Sequence, residues 1–194
     1  MKPAPARNLD LAVVGNCEVA ALVDRRGCIV WMCLPRPDGD PVFSALLART
    51  AGDGTRGVFA LELVGLAHSE QAYVRNTAIL ETVLRDERGG AVRITDFAPR
   101  FQNLDRIYRP PQLVRIVEPL AGLPRITVRF RPACNYGIPV TSHTLGSNHI
   151  RYWGADLQLR LSTDAPLSYI ERESSFVLTR PLHMVFGADE PFPA

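Results

Sequence analysis

Long hydrophobic runs are absent from this 194-residue sequence, and none reaches the roughly 18 residues that a membrane-spanning helix needs. Residues 1–10 are polar and carry prolines, so we expect no secretory signal. Lysine is nearly absent, with Lys2 as the single example, and the formal net charge is only +2. The arginines are spread evenly and form no basic cluster. We therefore expect neither a membrane nor a nucleic-acid partner.

Cysteine and histidine, four of each, are too few and too widely spaced for a zinc site, which needs closely spaced ligand pairs. The cysteines are Cys17, Cys28, Cys33 and Cys134, and no two of them form a CxxC pair. Cys28 and Cys33 are five positions apart, so within one strand they would point to opposite faces. We expect buried free thiols, no metal, no other cofactor and a reducing, cytoplasmic location.

Short apolar stretches separated by turn residues dominate the chain, a pattern typical of an all-β sandwich. Hydrophobic residues make up 46% and charged residues 22%, as in ordinary globular domains, and the 14 glycines and 16 prolines predict many turns. No linker or repeat divides the chain, so we expect one domain spanning residues 1–194. The expected strands are residues 11–14, 19–23, 28–34, 58–64, 72–75, 79–84, 91–97, 113–120, 126–131, 149–153, 157–161, 176–178 and 182–186.

Two hairpins and one helix are predicted within this pattern. The turns Asp24-Arg25-Arg26-Gly27 and Asp86-Glu87-Arg88-Gly89-Gly90 each separate two apolar runs, and glycine there can adopt a positive φ. Apolar residues at helical spacing predict one short helix near residues 43–49, with Pro41 in its first turn and Gly52 after its end.

Several blocks of the sequence, in order, carry a resemblance. They are GN at 15–16, AALVDRRG at 20–27, IVWMCLPRPDGDPVF at 29–43, VRITDFAPR at 92–100, LVRIVE at 113–118, FRP at 130–132, NYG at 135–137, GSNHIRY at 146–152 and LSTDAPL at 161–167. Together they resemble the N-terminal part of bacterial glycoside hydrolase family 15 proteins, which are glucoamylase-like and trehalase-like. The resemblance covers nearly the whole chain.

The resemblance implies an antiparallel β super-sandwich that precedes a catalytic α/α barrel of paired helices. Enzymes of this family invert the anomeric centre, using two glutamates whose carboxyl groups stand roughly 6.5–9.5 Å apart. Both glutamates belong to the barrel, and no position here matches them. The implied function is a non-catalytic module that packs on its own downstream barrel and shapes the active-site entrance. The parent enzyme would hydrolyse α-glucosidic bonds in small glucans or trehalose, which would bind at the domain interface.

Two other functions stay open. The chain is alternatively a stand-alone carbohydrate-binding module, which would need exposed aromatic side chains in a groove. As a third possibility it is an enzyme in its own right that uses Asp38, Asp40 or glutamates of the sandwich. The first hypothesis predicts that the isolated chain releases no sugar.

The candidate site residues at the substrate entrance or domain interface are Arg36, Asp38, Asp40 and Trp153. The first three lie in the proline-rich loop 35–41, where the aspartates are alternatively caps for turn amides. Trp153 stands beside a turn and is a candidate for stacking on a sugar, with interface or core packing as its alternative. Trp31 lies in a strongly apolar strand and is expected in the core.

Two further expectations concern pairing and exposed surface. Asp96 and Arg100 bracket a Phe-Ala-Pro turn, so a salt bridge or turn hydrogen bond between them is expected. An apolar patch is expected around residues 35–43 and 186–192, because a module without its partner domain leaves its interface uncovered. Self-association of the isolated module is a further expectation.

Overall fold

The computed structural model describes residues 9–47, 57–140, 142–154 and 157–189. Within these ranges the chain forms an all-β fold of antiparallel sheets, as the spacing of apolar runs and turns predicts. None of the helices in the described part is long and apolar enough to span a membrane.

Nineteen strands are described, and most are short. In chain order they are β1 Ala12–Gly15, β2 Ala20–Val23, β3 Ile29–Leu34, β4 Asp40–Phe43, β5 Val58–Leu63, β6 Leu66–Tyr73, β7 Leu80–Asp86, β8 Ala91–Phe97, β9 Phe101–Asn103, β10 Arg106–Tyr108, β11 Gln112–Ala121, β12 Arg125–Arg131, β13 Ala133–Cys134, β14 Ile138–Pro139, β15 Ser142–Leu145, β16 His149–Trp153, β17 Gln158–Thr163, β18 Phe176–Val177 and β19 Leu182–Ala188.

Two large sheets contain most of these strands. The first has seven strands in the order β1-β2-β3-β5-β12-β18, with β4 paired to β3. The second has eight strands in the order β15-β16-β17-β19-β11-β8-β7-β6. Two small two-stranded sheets complete the fold: β9 with β10 lies between β8 and β11, and β13 with β14 lies between β12 and β15. All strand pairs are antiparallel, which explains why short turns suffice for most connections.

The core lies between the two large sheets and contains a group of phenylalanine rings. The ring centroids of Phe43 and Phe130, from the first sheet, lie 5.1 and 5.0 Å from that of Phe186 in the second. Phe59 joins them at 5.0 Å from Phe130. Each buried ring contributes about 1.5–3 kcal/mol to folding through loss of apolar contact with water. These rings therefore fix how the two sheets stack.

Both predicted hairpins are confirmed, and both use an aspartate and a glycine. Between β2 and β3, the Asp24 carboxylate accepts the N–H groups of Arg26 and Cys28 at 2.9 and 2.8 Å. Between β7 and β8, Asp86 accepts the Arg88 and Gly90 N–H groups in the same way. Gly27 has a φ of +75°, and a Cβ there would lie 2.9 Å from the Ile94 side chain, so this turn requires glycine.

The helix prediction is only partly right. Pro41 and Phe43 belong to strand β4, and the helical segment is a single 3₁₀ helix, Ala45–Leu47. Positions 48–49 of the predicted span, and Gly52 after it, lie outside the described residues. The sequence pattern also misses α1, Leu167–Glu171, which begins after Pro166. Five residues are too few to display a helical repeat, so packing against β12 rather than periodicity determines this helix.

The predicted Asp96–Arg100 pair is wrong. Asp96 is fully buried, and its partner is Arg115 on the neighbouring strand β11, while Arg100 is exposed.

Trp31 also departs from expectation, because it is half-buried rather than in the core. Val42, Phe43 and Phe186, assigned above to an exposed apolar patch, are instead buried. The exposed residues of the loop are Arg36 and Asp38 together with Pro35 and Pro37, and residues 190–192 lie outside the described part.

The four cysteines are free thiols, as predicted, but they are not all buried. Cys33 is buried, Cys28 and Cys134 are half-buried, and Cys17 is exposed. Cys17 lies in the β1–β2 turn with a φ of +76°, so its position follows from the turn and not from apolar packing.

Candidate functional site

One end of the sandwich collects the candidate residues, and we call it the loop end. Strand register places Leu34 beside Asp40 in the first sheet. In the second sheet it places Trp153 beside Gln158 and sets the last residues of β19 against the start of β11. The Phe43–Phe186 ring contact links these edges across the core. The loop end therefore contains the β1–β2 turn, loop 35–40, the β9–β10 and β13–β14 hairpins, Trp153 and Asp189.

Loop 35–40 begins at a cis Leu34–Pro35 peptide bond and presents its charges to solvent. The Arg36 guanidinium donates two hydrogen bonds of 3.1 Å to the two carboxylate oxygens of Asp38. Both side chains are 72% exposed, so the pair contributes at most about 1 kcal/mol to stability. Arg36 and Asp38 form an accessible charged pair on the loop end.

Asp40 has a different role from Asp38. Its carboxylate accepts the backbone N–H of Asn135, which joins loop 35–40 to the β13–β14 turn. In that turn Asn135 and Tyr136 have φ values of +46° and +61°. The centroid of the Tyr136 ring lies 6.3 Å from that of Trp31, so this turn also contacts strand β3. Asn135 and Tyr136 are not among the predicted site residues, although the segment Asn-Tyr-Gly that contains them is typical of a turn.

Trp153 is the last residue of β16 and lies on the other sheet. It is half-buried, between Ser142 of β15 and Gln158 of β17. The structure thus brings Arg36, Asp38 and Asp40 together on one loop and places Trp153 at the same end of the sandwich on a different element.

The β9–β10 hairpin projects from the loop end and exposes apolar side chains. Leu104 is 87% exposed and Ile107 is 59% exposed, while the Phe101 and Tyr108 rings stack at 5.7 Å. Asn16, a buried side chain in the β1–β2 turn, donates to the carbonyls of Pro99 and Pro110 at 2.8 and 2.9 Å. This one amide therefore fixes both ends of the hairpin segment to the sandwich.

Asp189 follows β19 at the same end. Its carboxylate lies 2.8 Å from Arg151 and 3.6 Å from Arg160, which are opposite each other on β16 and β17. The Asp189 side chain is 13% exposed. Two ion pairs, together with a hydrogen bond from the Asp189 N–H to the Gln158 carbonyl, therefore hold Asp189 in place.

The chemistry available at the loop end is recognition by charge and aromatic contact. Among the residues that the structure describes, no group of three or more His, Cys, Asp and Glu side chains converges as metal ligands would. Burial, together with the negative charge of Asp40, raises the pKa of the Cys33 thiol, which therefore stays protonated.

The sequence matches the profile of a known family, described as "Trehalase-like, N-terminal", over residues 4–167. The chain belongs to the trehalase-like N-terminal domain family. The match includes loop 35–40, both Asp-Gly hairpins and the β9–β10 hairpin, so the loop end described above is built mostly from family sequence.

Curated relatives of this trehalase-like N-terminal domain are themselves named trehalases. The trehalase of Thermoplasma volcanium is 32% identical over 64% of this chain and 19% of its own length. That of Mycobacterium tuberculosis is 26% identical over 74% of this chain and 22% of its own length. The trehalase of Thermoplasma acidophilum is 33% identical over 59% of this chain and 19% of its own length. No solved structure matches the chain.

The chain thus spans about a fifth of the length of the curated relatives that it matches. Within the trehalase-like N-terminal domain, the structural role of Asn16 is not predicted from the sequence. Gly15-Asn16 marks a turn, where a polar side chain is usually solvated, and only the fold shows that the amide is buried against two carbonyls.

Proposed function

We propose that this chain is the non-catalytic N-terminal β-sandwich module of a family 15 glycoside hydrolase. Its loop end packs on a downstream α/α-barrel domain and forms one wall of the entrance to that domain's active site. The parent enzyme hydrolyses α-glucosidic bonds in trehalose or small glucans. The observation that carries the proposal is the family match, which covers residues 4–167 of this chain. The chain itself spans only about a fifth of the length of its trehalase relatives.

The position of Asp189 supports an interface at the loop end. Asp189 follows β19 at the same end of the sandwich as loop 35–40, Trp153 and the β9–β10 hairpin, and Arg151 and Arg160 hold it there. A domain joined to the chain beyond Asp189 would therefore be nearest to this end. The exposed Leu104 and Ile107 give such a domain an apolar contact, and Arg36 with Asp38 gives a polar one.

The environments of Asp38 and Asp40 argue against catalysis by this module. A paired acid and base would stand on either side of a cleft that admits the glycosidic oxygen and a water. Asp38 is exposed and paired with Arg36, and the Asp40 carboxylate accepts the Asn135 N–H. Both carboxylates are therefore engaged in contacts that shape the loop.

Glucose release is the direct test. The purified chain is incubated with trehalose, maltose and maltotriose, and we expect no glucose above that of the heat-denatured sample. Asp38→Ala and Glu87→Ala, the second changing an exposed residue on the β7–β8 turn, serve as matched variants. Turnover that is present in the wild type and in Glu87→Ala but lost in Asp38→Ala would show that the module is itself an enzyme.

We also propose that residues 1–194 form one domain, supported by a buried apolar cluster to which both large sheets contribute. A cytoplasmic location is proposed as well, because four free thiols suit a reducing compartment.

A further inference from the structure

A groove lies in the open seam between the two sheets, beside the base of the β13–β14 hairpin, whose Pro139 lines it. Strand β18 pairs only with Arg125 and Ile126 of β12, so the remainder of β12 has no strand on that side among the described residues. Helix α1 and strands β15 and β16 border the gap that this leaves. The resulting groove has a volume of about 300 Å³, at the small end of the range for small-molecule sites.

The floor of the groove is apolar. It is formed by side chains that are at most 7% exposed, namely Phe130, Ile150, Tyr152 and Ile170. The His143 ring lies 5.7 Å from the Tyr152 ring with a tilt of 32°. Burial raises the pKa of Tyr152, and the charge of Glu171 raises it further, so the hydroxyl is present as a neutral donor and acceptor.

The rim is polar and contains both signs of charge. Arg131 forms a bidentate pair with Glu173, with its Nη2 2.6 Å from Oε2. His143 Nε2 lies 3.5 Å from Glu171 Oε1. Glu173 has a φ of +49° just beyond α1, and this left-handed residue ends the helix.

The geometry points to a second saccharide site in this seam groove, one that takes a small neutral sugar of one or two rings. The Arg131 guanidinium and the Glu173 carboxylate form a planar pair, but both can still make further hydrogen bonds. The carboxylate can accept from, and the guanidinium can donate to, neighbouring hydroxyl groups of a sugar. The exposed Pro139 and the half-buried Val140, which also line the groove, offer apolar surface to the C–H face of a sugar ring.

Charge and size favour this ligand over others. The rim contains Arg131 and two glutamates, and Arg131 neutralises one of these, Glu173. The rim therefore has neither the net positive charge that would bind a phosphate nor enough net negative charge to bind a metal cation. The small volume excludes a long glucan chain. Pro139 of the β13–β14 hairpin lines the groove, so the site adjoins the loop end, but its test does not depend on a downstream domain.

Titration of the isotopically labelled chain with trehalose, maltose and glucose, followed by NMR, tests the site. We expect amide shifts at His143, Tyr152, Glu171 and Glu173 and dissociation constants of about 0.1–10 mM for at least one sugar. Tyr152→Phe keeps the ring and removes the hydroxyl, and Glu171→Gln removes one charge. Each should weaken binding by about threefold or more, while the control Glu87→Gln leaves it unchanged.

Thermal unfolding of each variant shows whether it folds. If a variant does not fold, the amide shifts of the wild-type chain still locate the site. Three results would overturn the inference. The first is the absence of amide shifts with every sugar at about 50 mM, a concentration above the weakest expected dissociation constant. Shifts at Arg36, Asp38 and Trp153 instead of the groove would place the sugar at the loop end. Shifts with Ca²⁺ but not with sugars would make the groove a cation site.

Discussion

Arg115 on β11 donates to both carboxylate oxygens of Asp96 on β8, at 2.7 and 2.9 Å, and both side chains are completely buried. The same guanidinium donates to the carbonyls of Gly27 and Phe59 at 2.7 and 3.2 Å and lies 4.5 Å from the centre of the Phe59 ring. Phe59 lies in β5 of the opposite sheet, and Gly27 lies in the turn between β2 and β3 of that sheet. This ion pair therefore connects the two sheets through the core.

Arg115→Met should be severely destabilising, because it leaves a buried carboxylate and two carbonyls without donors. We expect a loss of about 3–5 kcal/mol in the free energy of unfolding, measured by urea denaturation. Arg93→Met, which breaks half-exposed pairs to Glu81 and Glu118, should lose no more than about 1 kcal/mol. The double variant Asp96→Leu with Arg115→Met should lose less than the sum of its single variants. Additive losses would show that the two side chains act independently.

Asn16→Asp tests how the β9–β10 hairpin is attached. The carboxylate keeps the acceptor for the Glu18 and Val19 N–H groups but loses both donor bonds to Pro99 and Pro110. We expect a loss of about 1–3 kcal/mol and faster proteolysis within residues 99–110. Asn148→Asp, at an exposed turn on the opposite end, is the control. Unchanged cleavage in Asn16→Asp would mean that the hairpin holds its position without this amide.

The thiols should differ sharply in reactivity. Cys17 is exposed, whereas burial raises the pKa of Cys28, an effect that the charge of Asp24 reinforces. Alkylation followed by mass mapping should modify Cys17 quickly, Cys134 more slowly, and Cys28 and Cys33 only after unfolding. Cys17→Ser should remove the fast phase. A Cys28–Cys33 disulfide, or fast labelling of Cys28, would contradict the structure.

Asp164 predicts a defined pH dependence. Partial burial alone would raise the pKa of Asp164, but hydrogen bonds from the His183 ring and backbone, together with the charges of His183 and Arg180, bring it below its usual value. A depressed pKa means that ionised Asp164 stabilises the fold above its unfolded value of about 3.9, and that this stability is lost as the pH falls through the folded pKa. Asp164→Asn should therefore be less stable than wild type at neutral pH, and urea denaturation near pH 3 should show a much smaller difference. An equal difference at both pH values would refute the ionic contribution.

Much of the sandwich follows from local sequence, because alternation and turn chemistry act over a few residues. The alternating run in β12 buries Ile126, Val128 and Phe130, as its period of two predicts. The Asp24 and Asp86 turns form because aspartate accepts nearby amides and glycine permits a positive φ. These features need no information about distant parts of the chain.

The site depends on contacts that sequence spacing does not encode. The Asp40 carboxylate accepts a hydrogen bond from Asn135, and Asp96 pairs with Arg115 rather than with Arg100, which is closer in sequence. Both contacts arise because the fold, and not sequence distance, decides which residues are neighbours. Apolar residues next to the polar loop, such as Phe43, were assigned to the surface although β4 carries that ring into the core. The seam groove likewise exists only because β18 is too short to cover β12.

The central claim is that the loop end faces a downstream catalytic domain, and hydrogen exchange measures this most directly. The chain alone is compared with a fusion in which it replaces the matching segment of the Thermoplasma volcanium trehalase and which releases glucose from trehalose. We predict slower exchange in the fusion at residues 35–40, 101–108 and 134–138, with no change at the Asp24–Gly27 and Asp86–Gly90 turns of the opposite end. Protection of those opposite turns, or none at the loop end in an active fusion, would contradict the account.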